Sequence, residues 1–472
     1  MAITSELTQQ HLDKIRAFYD AAPGKPNGIA RHYRAQLAHY YNLLIPANAS
    51  VLEIGCGSGE LLARLNAARK TGVDLSATQI AAARERLPDA EFHVQAGEAL
   101  QLTGTYDVII ISDTLNLVAD VQQLLANLHQ VSHADTRLLI NFNSSLWRPF
   151  LTLGRWLGAK SKEPQSSWLN TADAHNLLQL ADWSPLIAQP RLLLPLPCLG
   201  LDRLVNRWLA PIFTWFCLTV FCVARPARPG ANKARTVSVI VPARNEAGNI
   251  QAAVRRTPDM GAGTELIFVE GHSKDDTWDQ IQRVAREFPE RKIKIMQQTG
   301  KGKGDAVRMG FAAATGDILM ILDADLTMPP EELPKFYQVL ASGHAEFANG
   351  VRLVYPMDEK AMQFLNLCAN KAFGIIFTWL LGQPVKDTLC GTKVLSRAHY
   401  DRVAANRAYL GDFDPFGDFD LLFGAAKLNL KIADVPIRYK ERTYGSTNIQ
   451  RWSHGWLLLR MVLFAARKLK FT

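Results

Sequence analysis

Residues 318–325 read Ile-Leu-Met-Ile-Leu-Asp-Ala-Asp and decide how the C-terminal half of the chain folds. Five apolar residues in a row are typical of a strand that is buried on both faces of a sheet. The two aspartates that follow are separated by one residue, so alternation along the chain puts both side chains on one side. Because Mg²⁺ and Mn²⁺ prefer carboxylate oxygens, the pattern predicts a divalent metal at Asp323 and Asp325.

Two further apolar runs precede this strand, Val237–Val241 and Leu266–Val269, with helical patterns between them. The N-terminal half repeats the alternation, with apolar runs at Val51–Ile54, Tyr106–Ile111 and Arg137–Phe142. Alternating strands and helices predict a parallel sheet that is covered by helices on both faces. The predicted fold class is therefore α/β, with two doubly wound domains, one in each half.

The stretch between the halves, ARPARPGANKART at Ala224–Thr236, is rich in proline, glycine and charge and has no apolar period. Such a composition predicts a linker. We therefore predict a first domain at residues 1–225, a linker at 226–235 and a second domain at 236–472.

One uncharged stretch, Trp208–Ala224, approaches the length of a membrane span. Pro211 interrupts it, however, and Leu218–Val223 has the β-branched and aromatic composition of a strand. We therefore predict a helix followed by the last strand of the first domain, rather than a span.

The composition indicates a globular chain, because 48% of its 472 residues are hydrophobic and 21% are charged. Six scattered cysteines show no Cys-x-x-Cys spacing, which argues for reduced thiols in a cytoplasmic protein and against a zinc site or a disulfide framework.

The N-terminal residues are polar, so we expect no signal peptide. From Arg438 onward eight basic residues oppose only Glu441, which suits an anionic membrane, a phosphorylated lipid, nucleic acid or a solvated face.

A glycine-rich turn, Gly55-Cys56-Gly57-Ser58-Gly59, directly follows the first apolar run. Glycines there let the backbone pass close to a ligand, and the helical pattern from Glu60 adds a helix N-terminus. Glu53 precedes the turn, and Asp74 ends the next predicted strand, where an acid can accept hydrogen bonds from ribose hydroxyls. The turn lacks the G-x-G-x-x-G spacing, which disfavours a site for NAD.

The motifs VLEIGCGSGELL, GVDLS and YDVIIISD make residues 33–226 similar to class I S-adenosylmethionine-dependent methyltransferases. The resemblance implies S-adenosylmethionine as cofactor, wrapped by the glycine-rich loop, with its ribose on the acid after the second strand. It also implies an acid beside the adenine. A non-catalytic domain that recruits substrate or senses S-adenosylmethionine stays open as the alternative. The implied cofactor-binding residues are Glu53, Gly55, Gly57, Gly59, Asp74 and Glu98.

The C-terminal half places polar motifs after its predicted strands: PARNE at 242–246, Glu270, and the turn GKGKG at 300–304. A nucleotide diphosphate-sugar is anionic, and its leaving diphosphate gains charge as the glycosidic bond breaks. A metal on Asp323 and Asp325 would stabilise that charge. The arrangement therefore predicts a nucleotide-sugar donor.

Three segments resemble family 2 glycosyltransferases of the GT-A fold, and among them polyprenyl-phosphate sugar synthases: TGDILMILDADLTMPPEELPKF, KDTLCGTKVLSR and KIADVPIRYKERTYGSTNI. The resemblance implies inverting sugar transfer, with Asp323 and Asp325 on the metal. Glu270 stands where the family usually has Asp, and Thr327 stands where it often has a metal-binding Gln. The residues implied for the nucleotide-sugar are Pro242, Arg244, Glu246, Glu270 and Lys303.

The acceptor has two candidate chemistries. A lipid phosphate is already an anionic nucleophile and needs cations rather than a base. Arg352 resembles the family's acceptor-phosphate arginine, and Lys371 and Lys393 are further candidates or else solvated lysines. Asp418 or Asp420, in FGDFD, would instead serve as a base for a hydroxyl acceptor on a soluble glycan or a protein.

Two segments suit helices that lie in a membrane interface. Ala372–Val385 is uncharged between Lys371 and Lys386, and Trp452–Phe471 mixes aromatic and aliphatic residues with basic ones. The alternative is that both pack against the domain core. We predict a bifunctional enzyme that transfers a sugar to polyprenyl phosphate and a methyl group to an unidentified acceptor. It would bind peripherally to the inner membrane face, and no nucleic acid is expected as a partner.

Overall fold

The computed structural model describes residues 6–21, 28–156, 170–227, 234–354, 364–407, 417–442, 444 and 451–472. The chain divides into two compact units, Met1–Ala227 and Arg228–Thr472. The division lies within the predicted linker, although the last strand of the first unit runs on to Pro226.

The first unit is built on a seven-stranded sheet in the order β3-β2-β1-β4-β5-β7-β6. Its strands are β1 (Ser50–Ile54), β2 (Arg69–Asp74), β3 (Glu91–Val94), β4 (Tyr106–Ser112), β5 (Ser132–Asn143), β6 (Trp183–Arg191) and β7 (Thr219–Pro226). Its helices are α1 (Glu6–Ala21), α2 (Gly28–Leu44), α3 (Ala77–Arg86), α4 (Val121–Asn127), α5 (Arg148–Trp156), α6 (Thr171–Leu180) and α7 (Leu201–Trp208).

The sheet of the first unit is parallel only from β1 to β5. Strand β7 runs antiparallel to both β5 and β6, so the expectation of a wholly parallel sheet was wrong at this edge. An antiparallel pair needs no crossover helix to return the chain. In the stretch Trp208–Ala224 the predicted strand is confirmed as β7, but α7 contributes only Trp208, and a 3₁₀ helix at Thr214–Phe216 precedes the strand. No described helix is long and apolar enough to cross a bilayer.

Alternation along β1 and β4 divides the buried side chains between the two faces of the sheet. Val51, Val108 and Ile110 join one apolar cluster, whereas Leu52 and Ile109 join the other. Because helices cover both faces, the apolar runs are continuous rather than alternating. The carboxyl ends of β1, β2 and β4 thus meet at one edge, where the glycine-rich turn lies.

The second unit also has a seven-stranded sheet, in the order β10-β9-β8-β11-β13-β12-β14. Its strands are β8 (Val237–Ala243), β9 (Thr264–Glu270), β10 (Lys292–Gln297), β11 (Ile318–Ile321), β12 (Phe347–Val351), β13 (Lys393–Ser396) and β14 (Ile432–Pro436). Its helices are α8 (Ile250–Arg256), α9 (Thr277–Glu287), α10 (Lys303–Ala313), α11 (Leu333–Ala341), α12 (Phe364–Leu381), α13 (Arg397–Ala405), α14 (Asp418–Lys427) and α15 (Arg451–Leu469).

Strand β13 is antiparallel to both of its neighbours, β11 and β12, while the pairs from β10 to β11 are parallel. This sheet is therefore also mixed. Ile240 and Leu319 face one apolar cluster, and Val239 and Met320 face the other. The arrangement positions the ends of β8, β9 and β11 side by side.

The two segments that were predicted for the membrane interface form α12 and the helix α15. Phe377 and Leu380 of α12 and Ala465 of α15 are buried in one core cluster, so one face of each helix packs on the domain. Ile375 and Leu463 remain exposed, at 73% and 55% of their surface. Packing on the core thus describes one face of each helix, and contact of the exposed faces with a membrane stays a prediction.

Candidate active sites in the two units

The glycine-rich turn of the first unit requires glycine for two different reasons. Gly55, Gly57 and Gly59 have φ angles of 73°, 51° and 72°, in the left-handed region that favours glycine. A Cβ on Gly55 would overlap the Thr114 side chain, whereas a Cβ on Gly57 would meet only Gln79 Oε1, at 3.9 Å. Gly55 is therefore needed for packing, and Gly57 faces open space where a ligand can approach the backbone.

Asp74, at the end of β2, holds this loop in place. Its Oδ2 accepts from the Gly57 N–H at 2.8 Å, and its Oδ1 accepts from the Ser76 N–H at 2.9 Å. Burial raises the pKa of Asp74, and these two N–H groups oppose that rise. Asp74 thus shapes the loop, and its role toward the ribose stays a prediction.

Glu53 is buried beneath the turn, with 2% of its surface exposed. Its Oε2 has no hydrogen-bond partner among the described residues. Burial raises the pKa of Glu53 to about 8, although Arg34 works against the rise. A cationic ligand would stabilise this carboxylate, so the open cradle and the unpartnered oxygen fit S-adenosylmethionine, which carries a sulfonium and an ammonium group.

Glu98 lies in the turn after β3, where it fixes the neighbouring loop. Its Oε1 accepts from the Ala119 N–H at 2.9 Å, and its carbonyl accepts from Asn127. The side chain is half-buried. Its role beside the adenine stays a prediction.

A polar cluster that sequence reasoning missed lies at the same edge of the sheet. Asp113, directly after β4, has a φ of 50°. Its Oδ1 accepts from Asn141 Nδ2 at 2.7 Å and from the Tyr33 hydroxyl at 3.2 Å. Tyr33 also lies 3.2 Å from Thr219 Oγ1. The available signal was the final Asp of YDVIIISD, a motif used for the family resemblance but not for a site residue.

Glu53→Gln should change how the stability of the first unit depends on pH. The pKa of Glu53 is about 8 in the folded protein against a usual 4.5, so the folded state binds the extra proton between these values. Wild-type stability should fall as pH rises through this window, by up to about 1.4 kcal/mol per pH unit. The free energy of unfolding of the cofactor-free chain, determined at about pH 5, 6.5 and 8, measures this loss of stability. Parallel pH profiles for variant and wild type would contradict the assignment.

The two aspartates of the second unit each form an ion pair with a basic side chain. Lys303 Nζ lies 2.7 Å from Asp323 Oδ1, and Arg442 Nη2 lies 2.7 Å from Asp325 Oδ2. Thr327 Oγ1 donates to Asp325 Oδ1 at 2.9 Å. Ala324 between them is buried in the core, so both aspartates turn away from it. Strand β11 ends at Ile321, and the pair lies in the turn that follows.

Arg442 is the residue that sequence reasoning missed at this site. Besides Asp325 it binds Glu246, with Nη1 2.8 Å from Oε1, and Asn249 Nδ2 donates to Glu246 Oε2 at 2.8 Å. Burial raises the pKa of Glu246, and Arg442 opposes this rise. Arg442 thus joins a predicted nucleotide residue to a predicted metal ligand. It stands in the segment KIADVPIRYKERTYGSTNI, which offered the signal.

The other residues predicted for the nucleotide lie at the carboxyl ends of β8 and β9: Pro242 is in β8, Arg244 follows it, and Glu270 ends β9. Glu270 is 4% exposed, and its Oε1 accepts from the Ser273 N–H at 2.5 Å. Pro242 is half-buried and Arg244 is exposed. Their contact with a nucleotide stays a prediction.

The donor set at Asp323 and Asp325 fits a divalent cation. Both side chains are partly exposed, at 32% and 18%, and carboxylate oxygens suit Mg²⁺ or Mn²⁺. Burial opposes a charged Lys303, but Asp323 and Asp418 outweigh it and raise the pKa of this lysine. Gly391 of KDTLCGTK closes the site, because a Cβ there would overlap Asp323 and Lys303.

The candidate acceptor cations lie in different surroundings. Lys393 is fully buried and donates to the Cys390 carbonyl, and its role as an acceptor residue stays a prediction. Arg352 donates from Nε and Nη2 to Asp387, at 2.7 and 2.8 Å, and its role toward an acceptor stays a prediction. Lys371 is exposed on α12.

The two candidate bases also separate. Asp418 Oδ2 lies 3.6 Å from Lys303 Nζ, which also pairs with Asp323, a predicted metal ligand. Asp420 Oδ2 lies 2.7 Å from Arg407 Nε instead. Of the two, Asp418 is therefore the one that the fold brings to the predicted metal site.

Two protein-family models match this chain, one in each half. Residues 238–403 match the model of glycosyl transferase family 2, and residues 52–138 match the model of a methyltransferase domain. A dolichol-phosphate mannosyltransferase of Pyrococcus furiosus is 28% identical over 222 residues, which are 45% of this chain and 59% of the relative. The chain thus spans little more than half of that relative's length.

Two solved structures resemble one unit each. Glucosyl-3-phosphoglycerate synthase of Mycobacterium tuberculosis, solved with Mn²⁺, UDP and glucosyl-3-phosphoglycerate, is 22% identical with a TM-score of 0.36, over 51% of this chain and 82% of that one. A SAM-dependent methyltransferase of Thermotoga maritima is 16% identical with a TM-score of 0.34, over 46% and 99%. The chain carries a family 2 glycosyltransferase domain and a methyltransferase domain.

Proposed function

We propose that this chain is a bifunctional enzyme that transfers a sugar from a nucleotide-sugar to polyprenyl phosphate and a methyl group from S-adenosylmethionine to a second acceptor. The observation that supports sugar transfer is the pair Asp323 and Asp325. Each carboxylate lies 2.7 Å from a basic side chain, Lys303 or Arg442. The name of the Pyrococcus relative, a dolichol-phosphate mannosyltransferase, supports a lipid phosphate as acceptor.

The residues of the second unit divide the chemistry of sugar transfer. A phosphate oxygen of the acceptor attacks the anomeric carbon while the bond to the diphosphate breaks, and the electron pair leaves with the diphosphate. A divalent cation, when bound, would stabilise that charge as a Lewis acid. Lys303 and Arg442 each lie 2.7 Å from a proposed metal ligand, so their positive charge would stabilise the same leaving group. No proton has to be removed from an ionised phosphate, so this reaction needs no base.

A panel of UDP- and GDP-sugars, offered with Mg²⁺ or Mn²⁺ and polyprenyl phosphate, tests the sugar transfer. A glycolipid with one of these donors is the expected result. Turnover of a donor on soluble glycans or proteins, with no glycolipid from any donor, would contradict the lipid acceptor. The same panel identifies the sugar and the nucleotide.

A hydroxyl acceptor is the second candidate, and the position of Asp418 beside Lys303 supports it. A hydroxyl must lose its proton on attack, and Asp418 could take it. Asp418→Asn would then abolish the acidic limb of the pH profile for transfer. With a phosphate acceptor, the variant should keep the wild-type pH profile, even if its rate is lower.

Arg442→Gln should tighten the binding of Mn²⁺ in the absence of the donor. The guanidinium lies 2.7 Å from Asp325 Oδ2, so a metal has to compete with it for this carboxylate. Because the ion pair is partly exposed, we expect a gain of about fivefold in affinity. Titration followed by electron paramagnetic resonance measures free Mn²⁺ directly.

Arg438→Gln is the matched control, because Arg438 is 72% exposed and lies 3.8 Å from Glu332 rather than at the metal site. Its Mn²⁺ affinity should equal that of the wild type. An Arg442→Gln protein with unchanged or weaker affinity would show that the arginine and the metal do not compete.

A further inference from the structure

Helix α7 in the first unit buries polar side chains and exposes apolar ones, which is the reverse of the usual arrangement. Its buried residues are the polar Asp202 and Asn206, whereas Leu201, Leu204 and Trp208 are exposed. Asp202 accepts from Gln36 Nε2 at 3.0 Å. A helix on a water-exposed surface normally turns its apolar face inward. This inversion indicates that the outer face of α7 meets something apolar.

The exposed face continues into the loop before β7 and onto α5. The inward polar residues hold the arrangement, since Asn206 exchanges two hydrogen bonds of 2.8 Å with the backbone of Leu194. Trp147 Nε1 donates to the Phe216 carbonyl at 2.9 Å, which joins the start of α5 to the loop. The most exposed members of this apolar surface are Leu199, Trp215, Phe150, Phe216 and Ile212, at 110%, 82%, 66%, 63% and 60%.

The charges on the apolar surface all have one sign. Arg148, Arg203 and Arg207 are exposed, and the guanidinium of Arg207 lies 5.6 Å from the Trp208 ring centroid. The one acid in residues 144–153 and 194–216 is Asp202, which is buried. Aromatic and aliphatic side chains flanked by arginines, without exposed acids, suit the interface of a bilayer with anionic headgroups.

The apolar surface lies next to the edge of the sheet that carries the glycine-rich turn. The loop returns into β7 at Thr219, which pairs with Asn143 at the end of β5. Thr219 Oγ1 lies 3.2 Å from the hydroxyl of Tyr33, which in turn donates to Asp113 after β4. A membrane that covers the surface would therefore lie beside the edge where the glycine-rich cradle opens.

We propose that the apolar surface docks the methyltransferase domain on an anionic bilayer and that its methyl acceptor is a membrane-borne molecule. The docking stands independently of the sugar transfer, and only the statement about the acceptor rests on the proposed methyltransferase activity. Docking can thus be tested separately from sugar transfer, because the lipid acceptor proposed for the second unit can be supplied in detergent.

Co-sedimentation of the full chain with vesicles tests the docking. The double variant Ile212→Gln/Trp215→Gln should lose at least about tenfold in affinity for vesicles of phosphatidylcholine and phosphatidylglycerol. Arg203→Gln/Arg207→Gln should lose on the order of tenfold on the same vesicles and little on phosphatidylcholine alone. Leu180→Gln is the control, because Leu180 is 57% exposed and lies before β6, at the opposite edge of the sheet.

Wild-type vesicle binding by the Ile212→Gln/Trp215→Gln protein would overturn the proposal. So would a wild-type oligomer that this variant converts into monomers, since the surface would then bind a second copy. Sugar transfer in detergent should be unchanged in all these variants. A chain that binds vesicles through the surface but transfers no sugar would refute the proposed sugar transfer and leave the docking intact.

Discussion

Asp325→Ala should abolish sugar transfer while S-adenosylmethionine binding stays at the wild-type level. Removing this carboxylate would take away one of the two proposed metal ligands and leave Arg442 with Glu246 alone. The leaving diphosphate would then lose the stabilisation of its charge, and we expect a fall in kcat of roughly a thousandfold or more. The rate of donor consumption and the affinity for Mn²⁺ should fall together.

Asp279→Asn is the matched control for this loss, because Asp279 is an exposed acid on α9 of the same unit. It should transfer sugar at the wild-type rate. An Asp325→Ala protein that keeps its thermal unfolding temperature and still turns over with a comparable kcat would refute the metal site.

Gly57→Ala should abolish S-adenosylmethionine binding and leave sugar transfer unchanged. Gly57 faces open space, and the nearest atom to a Cβ placed on it would be Gln79 Oε1, at 3.9 Å, so a methyl group there enters the room that the ligand needs. We expect a loss in affinity on the order of a hundredfold. Isothermal titration with S-adenosylmethionine measures this loss.

Gly104→Ala separates crowding of the ligand from strain of the backbone. Gly104 has a φ of 87°, and nothing lies within 4 Å of a Cβ placed there, so this variant carries a similar strain without blocking the cradle. It should bind the cofactor normally. Equal losses in the two variants would show that strain, rather than contact with the ligand, causes the effect.

The sequence predicted most of the strands because buried parallel strands are nearly continuous apolar runs. Val51–Ile54 and Val237–Val241, for example, each lie within the observed strands β1 and β8. The direction in which a strand pairs cannot be read from its own residues, because the same apolar run can pair parallel or antiparallel to its neighbour. The antiparallel strands β7 and β13 therefore required the structure.

The functional residues were predictable where they lie at or just beyond the end of an apolar run, as Asp74 and Asp323 do. Arg442 escaped because its partners Glu246 and Asp325 lie 196 and 117 positions away in the sequence. Lys393 looked like a solvated or phosphate-binding lysine, yet the fold buries it. The outward apolar face of α7 was not predicted, because Leu201, Leu204 and Trp208 recur at the spacing that normally marks the inward face of a helix.

The metal dependence of glycolipid formation tests the proposed sugar transfer most directly. The full chain is incubated with its nucleotide-sugar donor and polyprenyl phosphate in detergent, with and without a chelator, and the lipid product is weighed by mass spectrometry. We expect a lipid that has gained one sugar on its phosphate, formed with Mg²⁺ or Mn²⁺ and lost with the chelator. Donor consumption without any sugar on the lipid, or the same glycolipid in the presence of the chelator, would contradict metal-assisted transfer to a lipid phosphate.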